Sequence, residues 1–353
     1  MDEQVSGFTN HGSFPYRSAL RIIYYVKPEP PVGSVDVKTI QFKAYGGPEQ
    51  LIPADVPCPD TSANQLLVEV AATSVNPIDW KLHNGMLRWV RPLRFPSTPC
   101  FDFAGVIKAV GTQVSTFKPG DRIFGMLPMQ SFGAAAEYLA VDEKYAAPIP
   151  SAVSFHEAAG IPLAGMTALQ ALRDQGCLKP GQRLLVIGGA GGVGHYAIQI
   201  GKAMGAHVTG VCSTRNLELA RTLGADEVIN YARTNLDMPS EAFDVILDTV
   251  IDRSFSQWRA WLGPEGIYVS LLPKFGLFLH SLRLKLFSRQ RIRFTFVRPN
   301  RKDLDYLAGL AQDGLLHTEI DSVHALAELG AALRKSQSGR ARGKIIVAVK
   351  TEN

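Results

Sequence analysis

Nowhere in this chain do two cysteines stand at CxxC spacing: Cys58, Cys100, Cys177 and Cys212 are scattered. That leaves neither a disulfide framework nor a zinc knuckle, and it suits a reducing compartment. No uninterrupted apolar run approaches the roughly 18 residues of a spanning helix, so no transmembrane anchor is expected. Low-complexity tracts are missing too, because the 32 glycines and 22 prolines are dispersed; disorder is expected only at the termini. RNA- and DNA-binding motifs are lacking, and a formal net charge of +5 over 353 residues is too mild to point to nucleic acid. The expected location is cytoplasmic, with an organellar or membrane-peripheral place as the alternative.

With 46% of its residues hydrophobic and 20% charged, the chain can bury more than one core. Residues 1–36 differ from the rest and run into Lys27-Pro28-Glu29-Pro30-Pro31, which reads as an N-terminal extension. Arg17 and Arg21 hint at a presequence, but Asp2, Glu3 and the scarcity of Ser and Arg argue against one. Residues 37–158 hold short alternating segments such as Leu66–Val70 and Gly105–Val110, broken by Pro and Gly turns, as in a β-rich domain. From residue 159 to 298 strands alternate with longer helical stretches, which implies an α/β doubly wound parallel sheet. Strands are expected at Arg183–Ile187, His207–Cys212, Glu227–Ile229, Asp244–Asp248 and Gly266–Leu272. Residues 299–353 are expected to return to the first domain with helices at Lys302–Gln312 and about His324–Lys335 and a last strand, Lys344–Val349.

Gly188-Gly189-Ala190-Gly191-Gly192-Val193-Gly194 follows a strand and opens the helix expected at His195–Met204. Glycines there let the backbone turn tightly and approach a pyrophosphate, which the free N–H groups and dipole of the helix N-terminus favour. About 20 residues further on, an NAD site carries an acid for the ribose hydroxyls. This chain has Ser213-Thr214-Arg215 instead. No carboxylate repels a 2′-phosphate and Arg215 suits one, so NADPH is the expected cofactor unless Arg215 merely faces solvent.

A catalytic zinc needs thiolate and imidazole ligands around an open position. The loops Ser74–Lys81 and Pro99–Gly105 contain only the isolated His83 beyond the first and Cys100 in the second, so no metal site is expected. Conjugate reduction is then the natural chemistry, since hydrogen-bond donors can hold an enolate or hydroquinone anion without a Lewis acid.

From about Thr39 to Lys350 the chain resembles the quinone oxidoreductase-like branch of the medium-chain dehydrogenase/reductase superfamily, which includes ζ-crystallin-type and alkenal or enone reductases; within it, the likeness is strongest to chloroplast-envelope and mitochondrial members. The likeness is carried by Ser74–Lys81, Gly85–Arg88, Phe95–Gly105, Gly120–Arg122, Ala164–Leu172, Gly191–Ile198, Ser213–Asn216, Leu223–Tyr231 and Arg342–Ile346. The resemblance implies a GroES-like catalytic domain split around a Rossmann domain, a cleft between them, and a homodimer. It also implies Asn76 beside the nicotinamide and Thr167 beside the cofactor, with Gly191, Gly192 and Val193 on the pyrophosphate. Ser213, Arg215 and Tyr231 would frame the 2′-phosphate, and Lys344 would approach a phosphate from the returning strand.

For Asn76 the other reading is an amide that caps its own loop. Lys81 is the candidate for polarising a substrate carbonyl, or else a solvated lysine, and Tyr231 could instead be a buried aromatic. Tyr138 and Arg88 are possible cleft residues that sequence does not choose between.

Between Lys274 and Arg298 there are seven Lys or Arg residues and no acid. Phe275, Phe278, Leu279, Leu282 and Leu286 keep helical spacing, whereas Ile292, Phe294 and Phe296 alternate as in a strand. Such a helix is expected to turn its apolar stripe inward over the cleft, with contact of residues 275–293 with an anionic membrane as the alternative.

The expected activity is reduction of quinones or of the C=C bond of α,β-unsaturated carbonyls. The alternatives are an NADPH-binding scaffold with little turnover and a biosynthetic enoyl or enone reductase.

Overall fold

Strand β1 (Asp36–Phe42) pairs antiparallel with β2 (Leu51–Pro57) in a separate ribbon. In the computed structural model, residues 36–89, 91–232, 242–250, 254–272 and 275–350 are described; the expected extension lies, but for Asp36, outside them, as does Lys274. Further strands are β3 (Gln65–Val75), β4 (Asp102–Val110), β5 (Arg122–Met126), β6 (Tyr138–Asp142), β7 (Ala146–Pro148), β8 (Arg183–Ile187), β9 (His207–Cys212), β10 (Glu227–Asn230), β11 (Phe243–Asp248), β12 (Leu262–Ser270), β13 (Arg291–Phe294), β14 (Ile320–Ala325) and β15 (Lys344–Ala348). A seven-stranded sheet runs β14-β15-β3-β4-β5-β7 with β6 also on β3, and a six-stranded sheet runs β10-β9-β8-β11-β12-β13. All pairings in the second are parallel. The fold is α/β: a GroES-like β-rich part and a doubly wound Rossmann sheet, both within the unit Gly33–Asn353.

The short apolar runs predict the parallel strands because strands covered by helices on both faces need no polar alternation. Leu184, Leu185 and Val186 of β8 are fully buried accordingly. One continuous apolar cluster joins Phe101 and Phe124 of the first part to Met166, Leu169, Ile198 and Leu184 of the second, so the two sheets share a core rather than merely touch.

The last part departs from expectation. His324 lies in β14, and the helix begins only at Leu329, running to Gln337. Ser322-Val323-His324-Ala325 pairs in parallel with β15, a tertiary contact that overrides helical spacing in so short a stretch. β12 starts four residues before the expected Gly266 and ends at Ser270. The helix Arg301–Gln312 begins where Asn300 Oδ1 accepts the Asp303 N–H at 2.9 Å, an ordinary N-cap. No described helix is long and apolar enough to cross a membrane.

The larger correction concerns the helix Phe275–Phe287. Among its described side chains Leu277 and Leu284 are buried, while Phe278, Leu279, Leu282 and Leu286 are exposed. The apolar stripe expected to face the cleft faces outward, because Ser281 and the two leucines occupy the side that packs on β13, where Ser281 Oγ lies 3.5 Å from the Ile292 carbonyl.

Three distant segments meet in a buried hydroxyl relay. Thr318 Oγ1 donates to the Glu157 carbonyl at 2.8 Å and accepts from Tyr196 Oη at 2.7 Å. Tyr196→Phe is expected to lower unfolding free energy by about 1 kcal/mol, and Thr318→Val, which strands two groups, by about 2 kcal/mol; urea midpoints of the two variants check the order.

Candidate active site

The segment Ser74-Val75-Asn76-Pro77 takes the chain from the end of β3 into the helix Pro77–His83, with proline at the first helical position, where its missing N–H costs nothing. Asn76 is the N-cap, and Asp79 three residues on reaches back to accept the Asn76 N–H at 2.6 Å, one half of a capping box. Asn76 begins its helix, but its side chain makes no capping hydrogen bond there, so the loop-capping alternative does not describe this amide, which turns elsewhere.

That amide is fully engaged. Asn76 Oδ1 accepts from Lys344 Nζ at 2.6 Å, and Asn76 Nδ2 donates to Asp102 Oδ2 at 2.7 Å. Lys344 also lies 3.6 Å from Asp102. Asp102 in turn accepts from Ser74 Oγ at 2.6 Å and from the Leu163 N–H at 2.8 Å. Lys344, Asp79, Asp102 and Asn76 are all buried. Both ends of the Asn76 amide are therefore assigned by partners, its orientation is fixed, and one N–H remains to be donated.

Burial pushes the Asp102 carboxyl up and the Lys344 ammonium down. Their mutual attraction and the donors on Asp102 oppose burial. Burial raises Asp79 to about 8, helped by the neighbouring charge of Asp102 and resisted by the Asn76 N–H and Lys344. With one ammonium for two carboxyls, the neutral arrangement is Lys344 and Asp102 charged and Asp79 protonated.

Lys344 is buried. Its ammonium is committed to Asn76 and Asp102, although its side chain runs past the glycine turn: a Cβ on Gly192 would lie 3.8 Å from Lys344 Cδ. The turn itself needs glycine at two places. Gly188 has φ +80°, and a Cβ on Gly194 would come within 2.0 Å of the Gly188 carbonyl oxygen. The returning strand is fastened here, since the Gly343 N–H donates to the Ala190 carbonyl at 2.9 Å. The N–H groups of Gly192 and Val193 have no acceptor among the described residues, and they precede the helix Gly194–Ala203. Backbone donors of this kind at a helix N-terminus fit a pyrophosphate.

The remaining expected residues fall into two groups. At the end of β9, Ser213 starts the single turn Thr214–Asn216, and Arg215 Nη2 donates to the Arg340 carbonyl at 2.9 Å. The Tyr231 N–H reaches the Cys212 carbonyl at 3.2 Å, and its ring is exposed rather than buried, so these three sit around one strand end. Thr167 is buried with its hydroxyl turned back on its own helix, donating to the Leu163 carbonyl at 2.6 Å. Lys81 stands apart from the Asn76 network: it is half-buried, its ammonium lies 5.4 Å from the Trp80 ring centroid, and burial lowers its pKa. Tyr138 donates to Glu69 at 2.8 Å, and Arg88 stacks at 5.1 Å over Trp89.

Zinc does not fit this donor set. Burial pushes the Cys100 thiol well above its ordinary range, whereas a zinc ligand must be a thiolate. His83 has Nδ1 on the Asp79 carbonyl at 2.7 Å and Nε2 on Ser97 Oγ at 3.3 Å. Asn76 stands bonded in the loop where a ligand would be needed. Among the described residues no group of three or more His, Cys, Asp or Glu is arranged to hold a metal.

Sequence reasoning assigned Asp79, Asp102 and Ser74 no role. The signal for Asp79 was present in Asn76-x-x-Asp79, the capping-box spacing. Nothing local marks Asp102 or the reach of Lys344, because both act across the sheet.

Comparison with known proteins places these features. Residues 62–151 match the family model described as alcohol dehydrogenase GroES-like domain, and residues 223–347 match that described as zinc-binding dehydrogenase. The chain is 35% identical to the chloroplast envelope quinone oxidoreductase homolog of Arabidopsis thaliana, over 87% of this chain and 97% of that protein. It is 34% identical to a trans-enoyl reductase of Aspergillus terreus, over 84% of this chain and 90% of that one. The solved quinone oxidoreductase from Coxiella burnetii superimposes with a TM-score of 0.80 at 32% identity, covering 89% of this chain and all of that one.

Two outcomes follow from the buried charges. Lys344→Met strands Asp102 and is expected to cost roughly 3–5 kcal/mol, with Lys344→Met combined with Asp102→Asn costing less than Lys344→Met alone in urea titrations. Asp79 keeps a proton in the folded protein that an exposed aspartate, at its ordinary value of 3.8, releases. The folded state binds more protons between about pH 4 and 8, so this group's stabilising contribution falls as pH rises through that window. Asp79→Asn is expected to flatten that slope in the pH dependence of the urea midpoint.

Proposed function

Because the chain belongs to the medium-chain dehydrogenase/reductase family, in its quinone oxidoreductase-like branch, we propose that this oxidoreductase uses NADPH to reduce quinones or the C=C bond of α,β-unsaturated carbonyls. The observation that carries the reading is the pairing of an open glycine turn with Arg215 at the next strand end, where the sequence Ser213-Thr214-Arg215 holds no carboxylate. Gly191, Gly192 and Val193 would hold the pyrophosphate, and Ser213, Arg215 and Tyr231 the adenosine 2′-phosphate. Thr167, buried within its helix, would pack beside the cofactor. Bound there, the reduced nicotinamide supplies a hydride.

The chain's own residues would do the rest. Asn76, pinned between Lys344 and Asp102, presents its remaining N–H without reorganising, the condition under which a donor stabilises developing charge most. Lys344 acts as a positioning residue in this reading, replacing the phosphate contact expected from sequence. Lys81 has no carboxylate partner among the described residues, and we assign its ammonium to the oxygen of the reduced carbonyl, where an enolate or hydroquinone anion gathers charge. The wet side of that anion takes its proton from water.

The names of the relatives support two substrate classes, quinones and enoyl groups, and a pathway-specific enoyl reductase would use the same residues. The expected homodimer belongs to the same proposal and is read by light scattering of the purified chain.

NADPH oxidation against a panel of quinones, enones and alkenals tests the reading. Turnover with at least one class is expected, and saturable NADPH binding without turnover on any would instead favour a cofactor-binding scaffold. Arg215→Ala is expected to raise KM for NADPH roughly 10- to 100-fold, the loss of one charge-assisted contact, while leaving KM for NADH nearly unchanged. Asn76→Ala is expected to lower kcat by about 100-fold with NADPH binding retained.

A further inference from the structure

The helix Phe275–Phe287 connects β12 to β13, and its orientation is set from one side only. Leu277 and Leu284 are 7% and 4% exposed, and they seat the helix on the six-stranded sheet. At 3.6 residues per turn, Phe278, Leu282 and Leu286 succeed one another at intervals of four, with Leu279 beside them, on the side opposite that seat. They are 62%, 55%, 71% and 53% exposed in that order of naming. A globular helix normally buries such a stripe. This one spends its most apolar surface on solvent.

Charge decorates the stripe in a particular way. Arg283 and Lys285 fall on its two opposite borders at the same helical spacing, and both are exposed. Neither has a carboxylate within ion-pair reach among the described residues. Arg289, just beyond the helix, does pair with Glu265 at 2.8 Å. The helix itself carries no acid at all.

We propose that this face docks on an anionic lipid surface, with the helix lying in the interface plane. Long cationic side chains flanking an apolar stripe can lay their methylene stems along it and lift their charges to the headgroups. A 13-residue helix is too short to span, and it needs only to sink its outer side chains. A second copy of this chain fits less well: a two-fold contact across the same face would bring Arg283 and Lys285 of both copies together with no acid on the helix to offset them. The inference stands whether or not the reaction proposed above is right.

Co-sedimentation of the full chain with vesicles tests it. The chain is expected to sediment with mixed phosphatidylcholine and phosphatidylserine vesicles far more than with phosphatidylcholine alone, and to be released by salt. Arg283→Gln with Lys285→Gln is expected to weaken partitioning roughly fivefold per cation. Leu282→Ser with Leu286→Ser is expected to weaken it about tenfold, while circular dichroism and NADPH turnover stay as in the parent, since both pairs are on the surface. The proposal is overturned if the parent chain stays in the supernatant with the anionic vesicles. It is equally overturned if the serine variant sediments as well as the parent, or if light scattering shows that the serine substitutions dissolve a dimer while leaving vesicle binding intact.

Discussion

A single ammonium holds the candidate site together. Lys344 lies at the start of β15, where its N–H donates to the Glu319 carbonyl at 2.7 Å and its side chain reaches Asn76 at the end of the neighbouring antiparallel strand β3. Without that charge, Asp102 would be a buried carboxylate with only neutral donors, and the amide of Asn76 would be free to turn over. The arrangement is costly, because burial works against both ions, and a buried pair is weak evidence of stability in itself. What it secures is direction: an amide with both ends assigned cannot present its oxygen where its N–H is needed.

The glycine turn and the Asn76 network are two ends of one construction. The strand that delivers Lys344 is tied one residue earlier to the turn through the Gly343 N–H and the Ala190 carbonyl, and Arg215 reaches the same return segment at Arg340. The glycine turn, the Arg215 strand end and the Asn76 amide are therefore positioned by a single stretch of backbone. The shared core of Phe101, Phe124, Ile198 and Leu184 keeps the two sheets in register beneath it.

Much of this could be read in advance where the physics is local. β8 and β9 were expected at their observed bounds because short apolar runs between turns have few alternatives, and the strand, glycine turn and helix succession at 183–203 is determined by neighbours in sequence. The misreadings are long-range. Asp321–Ala325 becomes strand only because β15 lies beside it. Nothing near Lys344 in sequence shows its bonds to Asn76 and Asp102 on neighbouring strands. In the helix Phe275–Phe287, periodicity identified the stripe correctly and its direction wrongly: apolar residues occupy both flanks, and only the contact of Leu277 and Leu284 with the sheet decides which flank is inside.

The bond from Lys344 to Asn76 spans 268 residues of chain. Closing so long a loop is slow compared with forming the helices and hairpins inside it. A ribosome that has delivered β3, β4 and the whole parallel sheet has therefore still not made an oriented Asn76, and Asp102 waits with its charge uncompensated. The network around Asn76 is therefore completed only in a late event, when the return strand β15 takes its place between β14 and β3.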